Sequence, residues 1–86
     1  MLPTIYSDFC NEVKEMSLGI EGNNQLYITC DKSHPKSILT SPSIKHYSTV
    51  VDILKKIYGS NYNDKEEYYS EQYKDCDEIY LHFVKL

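Results

Sequence analysis

Acidic side chains recur at helical spacing toward the C-terminal end of the sequence, a pattern suited to electrostatic binding. Glu67, Glu71 and Asp75 are four residues apart, and Asp64 lies about one turn earlier. On a helix this spacing puts the carboxylates on one face, about 6 Å apart along the axis. Such a row of negative charge can occupy a basic groove in place of nucleic-acid phosphates. An ordinary solvated helix gives the same pattern, and the helix dipole favours acids in a first turn, so composition alone favours the solvated face.

The other reactive side chains form no recognised catalytic or metal-binding motif. The three histidines are far apart, and no serine lies in a nucleophile motif. The three cysteines, Cys10, Cys30 and Cys76, are an odd number without CxxC spacing. We interpret them as reduced thiols, which indicates an intracellular protein. We expect no cofactor, no metal ion and no enzymatic activity.

Charge is distributed unevenly along the 86 residues. The first sixty carry six acids and six lysines, whereas residues 61–86 carry seven acids and three lysines, so the formal charge of -4 belongs to this last part. Five of the nine tyrosines lie between positions 58 and 73. The sequence contains no arginine, which argues against direct nucleic-acid binding. A tyrosine-rich acidic surface instead suits docking onto a basic partner.

The sequence also predicts where the protein resides. Its first residues, MLPTIYSDF, lack the basic segment of a signal peptide. No apolar run approaches the roughly 18 residues that a membrane span needs. We therefore expect a soluble, cytoplasmic protein without membrane contact, folded as a single domain over residues 1–86.

Hydrophobic spacing predicts three helices. Ile5, Phe9, Val13 and Met16 form an apolar stripe at helical intervals that predicts a helix over residues 4–17. Apolar residues recur most strongly over residues 42–58, where a serine–proline pair marks the start. A capping box at residues 63–66 predicts an acidic helix over residues 64–74. The longest of the three, over 42–58, is expected to be the main core helix.

Three segments have the composition of strands. Residues 25–30 and 36–40 flank the turn-forming sequence DKSHP and are predicted to pair as a hairpin. Residues 79–84 are predicted to pair at a sheet edge. The predicted fold class is α+β, a small antiparallel sheet packed by one long amphipathic helix, with two further helices in the order α-β-β-α-α-β.

Residues 62–69, with the sequence YNDKEEYY, resemble the YxDxEE-aromatic-Tyr motif of a family of small acidic phage anti-CRISPR proteins. That family inhibits the type II RNA-guided DNA nuclease, and its order of elements is similar. The resemblance implies that acidic side chains occupy the arginine pair with which the nuclease reads DNA beside its target. It matches Tyr62 and Asp64 to the family's aromatic and acidic positions and makes Asp31 a second acidic contact. Lys65 stands where the family has an acid, and the turn DKSHP lacks the family's glycine-centred acidic turn.

These observations together predict a non-enzymatic, phage-type anti-defence inhibitor. It would bind a basic nucleic-acid-binding protein, a CRISPR effector nuclease, in the cytoplasm of the infected or host bacterial cell, and block DNA binding by charge mimicry. The predicted partner-binding residues are Asp31, Tyr62, Asp64, Glu66, Glu67, Glu71 and Asp75.

Other functions fit the same sequence. An antitoxin or immunity protein that covers the basic active site of a toxin nuclease would use the same electrostatics. A small enzyme or metal protein is a further alternative. The chain is expected to be a monomer or a homodimer, the latter pairing through its apolar C-terminal strand.

Overall fold

The computed structural model describes residues 2–19, 24–63 and 66–85. In these parts of the chain, three helices accompany three strands: α1 (Thr4–Gly19), β1 (Asn24–Thr29), β2 (Ser37–Thr40), α2 (Tyr47–Tyr58), α3 (Glu66–Tyr73) and β3 (Tyr80–Lys85). A short 3-10 helix, Gly59–Asn61, follows α2. The predicted α+β class, with its small antiparallel sheet and its order of elements, is confirmed.

The C-terminal strand β3 is the central strand of the sheet. The strand order is β1-β3-β2, and both outer strands pair antiparallel with β3. The predicted hairpin between the first two strands and the predicted edge position of the last strand are therefore wrong. The reason is apolar content, since the five residues from Tyr80 to Val84 are each at most 7% exposed. A strand that is buried on both faces is typical of the centre of a sheet, where a neighbouring strand pairs with each edge. In contrast, β1 alternates between partly buried and exposed residues over most of its length.

Helix α2 begins later than the predicted position 42, because the chain before it continues to pair with β3. The Ser41 N–H donates to the Leu81 carbonyl at 2.8 Å, and the Ser41 hydroxyl oxygen accepts from the Leu81 N–H at 2.9 Å. Ile44 and Ile79 then exchange two backbone hydrogen bonds, of 2.9 and 2.7 Å. The serine read as a helix cap is thus a partner of the central strand.

The core is formed by apolar residues from α1, α2, β3 and the segment before α2. The apolar stripe predicted for α1 is confirmed at Phe9 and Val13, which are buried. Ile5, assigned to the same stripe, is instead 56% exposed. Tyr6 turns inward beside it and donates its hydroxyl to the Ser43 carbonyl at 2.7 Å. The buried cluster is Phe9, Cys10, Val13, Ile44, Val50, Ile53, Leu54, Ile79, Leu81 and Phe83.

Candidate partner-binding surface

Helix α3 is held in place by two of its tyrosines. The Tyr73 ring stacks on Tyr47 of α2 with centroids 6.2 Å apart, and the Tyr69 ring lies 6.5 Å from the same ring. The Tyr73 hydroxyl donates to the Ile28 carbonyl of β1 at 2.8 Å. Burial raises the pKa of Tyr73, because the phenolate would lose solvation there. A helix of eight residues needs such tertiary contacts, since its own hydrogen bonds cannot stabilise it in water.

A disulfide joins Cys30, after β1, to Cys76, before β3. The prediction that all three cysteines are reduced thiols is therefore wrong, and Cys10 alone is free. The cause is strand pairing, because the register of β1 with β3 ends at Thr29 and Tyr80 and so places the segments that carry both cysteines at the same end of the sheet. The two Cα atoms are 5.7 Å apart, within the usual disulfide range. The link follows from the pairing of β1 with β3, and no local pattern in the sequence indicates it.

Three exposed aspartates surround the disulfide, and we call this group the acidic junction: Asp31, Asp75 and Asp77. Asp31 follows Cys30, whereas the other two flank Cys76. Asp31 and Asp75 are predicted contact residues that lie 44 positions apart in sequence and are brought together here through the covalent link. Asp77 was not predicted as a contact, since no local pattern relates it to Asp31. Three exposed carboxylates in the segments joined by one disulfide present negative charge to a cationic partner.

The turn that carries Asp31 is fixed by hydrogen bonds from both sides. The Thr29 hydroxyl donates to the Asp31 carbonyl at 2.9 Å, and the Asp31 N–H donates back to the Thr29 oxygen at 3.3 Å. His82 of β3 lies behind the turn, with Nε2 3.0 Å from the same carbonyl. Because a carbonyl oxygen only accepts, this contact assigns the hydrogen to Nε2. The acidic turn therefore presents its carboxylate from an ordered backbone.

The predicted helical row of carboxylates is shorter than expected, because α3 ends at Tyr73. Asp75 lies in the turn after the helix, so it does not continue the face that carries Glu71. Glu71 is exposed and forms an ion pair of 2.5 Å with Lys74, which neutralises part of its charge. An exposed pair of this kind contributes little to stability. Because of this ion pair, Glu71 adds less negative potential to the surface than an unpaired carboxylate would.

The other predicted contact residues occupy different situations. Tyr62 follows the 3-10 helix, is partly buried against the core, and donates its N–H to the Gly59 carbonyl at 3.2 Å. Asp64 lies outside the described residues. Glu66 and Glu67 begin α3, and the structure describes their backbone alone. Of the predicted set, the structure brings Asp31 and Asp75 together, with Glu71 on the adjoining helix.

Two further residues near this surface were not predicted as contacts. Tyr68 of α3 is 68% exposed, and its ring meets Tyr69 edge-on at a centroid distance of 5.4 Å. Glu78 accepts a hydrogen bond of 2.7 Å from the Tyr80 hydroxyl. That bond and, to a smaller extent, the nearby Lys45 and Lys32 hold the pKa of Glu78 below its usual value. Glu78 is therefore an ionised neighbour of the acidic junction at neutral pH.

Comparison of the chain with protein-family models, with curated proteins and with solved structures finds no match. Among the described residues, no three or more His, Cys, Asp or Glu side chains are grouped so that they could hold a metal ion. No helix in the described ranges is both long and apolar enough to cross a membrane.

Proposed function

We propose that this protein is a non-enzymatic inhibitor of a nucleic-acid-binding enzyme, of the kind phages use against bacterial defence. Its target would be the DNA-binding site of a type II RNA-guided nuclease, inside the bacterial cell. The single observation that carries the proposal is the acidic junction, three exposed carboxylates gathered around one covalent link. The resemblance of residues 62–69 to the anti-CRISPR motif names the target.

The physical basis is competition for cationic side chains. Proteins bind DNA phosphates with lysine and arginine, and charge-assisted hydrogen bonds from guanidinium groups to carboxylates are equally available. Asp31, Asp75 and Asp77 are exposed, so their carboxylates can reach the cationic side chains of such a site directly. Complementary charge would also accelerate encounter with the basic groove.

Tyrosine supplies the second part of the proposed contact. Tyr68 is held by its edge-on contact with Tyr69, so a partner would immobilise little additional side-chain freedom. Exposed, ordered tyrosines contribute strongly to binding energy at interfaces because they combine apolar area with a hydroxyl group. An arginine of the target could lie over this ring while its neighbours pair with the carboxylates.

Residence in the cytoplasm is part of the proposal and follows from the target. The presence of the disulfide removes the argument that reduced cysteines provided for an intracellular protein. Structural disulfides persist mainly in oxidising compartments. The location is therefore tested together with the target.

Order of addition tests this function. Purified type II guide–nuclease complex would receive the protein either before or after target DNA, and DNA cleavage would be measured. We expect inhibition only when the protein is added first, because bound DNA already occupies the basic site. Absence of inhibition in both orders would contradict this target and would direct the search to toxin nucleases.

A further inference from the structure

The Cys30–Cys76 disulfide is open to reagents in solution. Cys30 is exposed and Cys76 is partly exposed. Reduction requires a thiolate to reach one of the sulfur atoms, and exposed disulfides are the ones that exchange readily. Cys10 is 0% exposed and burial raises the pKa of its thiol, so it is unsuited to attack the bond from within. An external reductant can therefore act selectively on this link.

The two sides of the disulfide differ in what else holds them. On one side, Asp31 receives hydrogen bonds from Thr29 and His82 that do not involve sulfur. On the other side, the Cys76 N–H donates to the Tyr73 carbonyl at 3.1 Å, which is a bond within the same segment. Tyr73 adds its hydroxyl bond to β1 and its ring contact with α2. Tyr73 thus anchors the start of the segment at residues 74–78, and the disulfide joins the middle of that segment to the Asp31 turn.

We propose that the disulfide is a redox latch that holds α3 and the segment at residues 74–78 against the sheet. In its oxidised form the two halves of the acidic junction stay together. A dithiol reductant breaks the S–S bond by supplying two electrons and two protons. Both cysteine sulfurs become thiols, and the reductant leaves as its own cyclic disulfide. The segment at residues 74–78 then loosens, and with it the end of α3, while the Asp31 turn stays in place. If the proposed function holds, affinity for the basic partner falls.

Hydrogen exchange followed by mass spectrometry tests the latch without reference to any partner. The full-length protein would be compared before and after treatment with dithiothreitol, together with a Cys30→Ser/Cys76→Ser variant. We expect exchange of residues 66–78 to accelerate on reduction by about ten-fold or more beyond any acceleration in β1 and β3, which reports the stability of the whole domain. The double variant should match the reduced protein under both conditions. A Cys10→Ala variant, as the matched control, should respond to dithiothreitol as the unmodified protein does.

Two results would overturn the latch. Equal exchange of residues 66–78 in both redox states would mean that the disulfide holds nothing. Exchange that accelerates as much in β1 and β3 as in residues 66–78 would mean that reduction acts on the whole domain and not on one segment.

Binding to the guide–nuclease complex, measured in both redox states, separates this inference from the proposed function. Weaker binding of the reduced form supports the proposal that the disulfide controls the affinity of the acidic junction for the complex. Equal binding of both forms overturns that control. If exchange changes locally but neither redox form binds the complex, the proposed function fails and the latch itself is supported.

Discussion

The Nε2 atom of His82 lies 3.0 Å from the backbone carbonyl oxygen of Asp31, so a fully buried histidine holds the turn of an exposed aspartate. The same nitrogen is 2.9 Å from the Thr29 hydroxyl of β1, and Nδ1 is 2.9 Å from the Thr40 hydroxyl of β2. One side chain of the central strand therefore connects both outer strands and the acidic turn. Such a network is strong when every member has a partner and costly when one is removed.

Replacing His82 by leucine should destabilise the fold. The substitution keeps an apolar side chain of similar bulk but removes the hydrogen-bond partner of the Asp31 carbonyl and of the two threonine hydroxyls. We expect the free energy of unfolding to fall by about 1–3 kcal/mol, measured by urea denaturation. His46→Leu is the matched control, because His46 is exposed. A loss no larger than in that control would contradict the role assigned to His82.

Reducing the disulfide should lower the free energy of unfolding, because the unfolded chain then has more conformational freedom. The cysteines are 46 positions apart, and closing a loop of this length restricts the denatured ensemble. The chain-entropy model and measured disulfides together give an expected loss of about 2–4 kcal/mol. Denaturation of Cys30→Ser/Cys76→Ser against the oxidised protein measures it. Identical midpoints would mean that the covalent link adds no stability.

The Tyr73 hydroxyl should contribute to stability while the Tyr68 hydroxyl should not. Tyr73→Phe removes the donor to the Ile28 carbonyl and should cost about 0.5–1.5 kcal/mol. Tyr68→Phe, on the same helix, removes a hydroxyl from a ring that is 68% exposed and should leave stability unchanged. Thermal denaturation of the two variants makes the comparison. Equal effects would argue against the hydrogen bond to β1.

Stability should fall in alkaline solution because the fold raises the pKa of three tyrosine hydroxyl groups. Burial raises the pKa of Tyr58 and Tyr73, and the hydrogen bond to Glu78 followed by burial raises that of Tyr80, all from a usual value of 10.0. A raised pKa means that the folded protein keeps its proton while the unfolded chain loses it. The stabilisation is thus complete below pH 10 and is lost as pH rises through the folded-state values. Urea midpoints measured from pH 8 to 11 should decline, and Tyr73→Phe should decline less steeply.

The helices and the fold class could be predicted because they depend on local pattern. Apolar spacing predicted the positions of α1 and α2, and residue composition predicted the positions of the three strands. The start of α2 was misplaced because the serine–proline pair is a valid local helix signal. Ser41 is bound instead by Leu81, which is distant in sequence. Nothing local to Ser41 carries that information.

The strand order and the disulfide could not be predicted for a related reason. Adjacent strands separated by a turn favour a hairpin, yet β3 is buried on both faces and takes the central position. With that order known, the ends of β1 and β3 bring Cys30 beside Cys76 and Asp31 beside Asp75. The charge pattern therefore predicted Asp31 and Asp75 as contact residues. Their position around one disulfide follows only from the strand order.

The measurement that tests the central claim most directly is the affinity of the protein for DNA-free type II guide–nuclease complex. It would be compared between the unmodified protein and an Asp31→Asn/Asp75→Asn/Asp77→Asn variant. The matched control, Asp8→Asn/Glu12→Gln/Glu15→Gln, removes the same charge from exposed positions on α1. We predict a loss of about ten-fold or more in the first variant, which corresponds to about 1.4 kcal/mol, and no comparable loss in the control. Binding that is unchanged by neutralising the acidic junction would contradict the account.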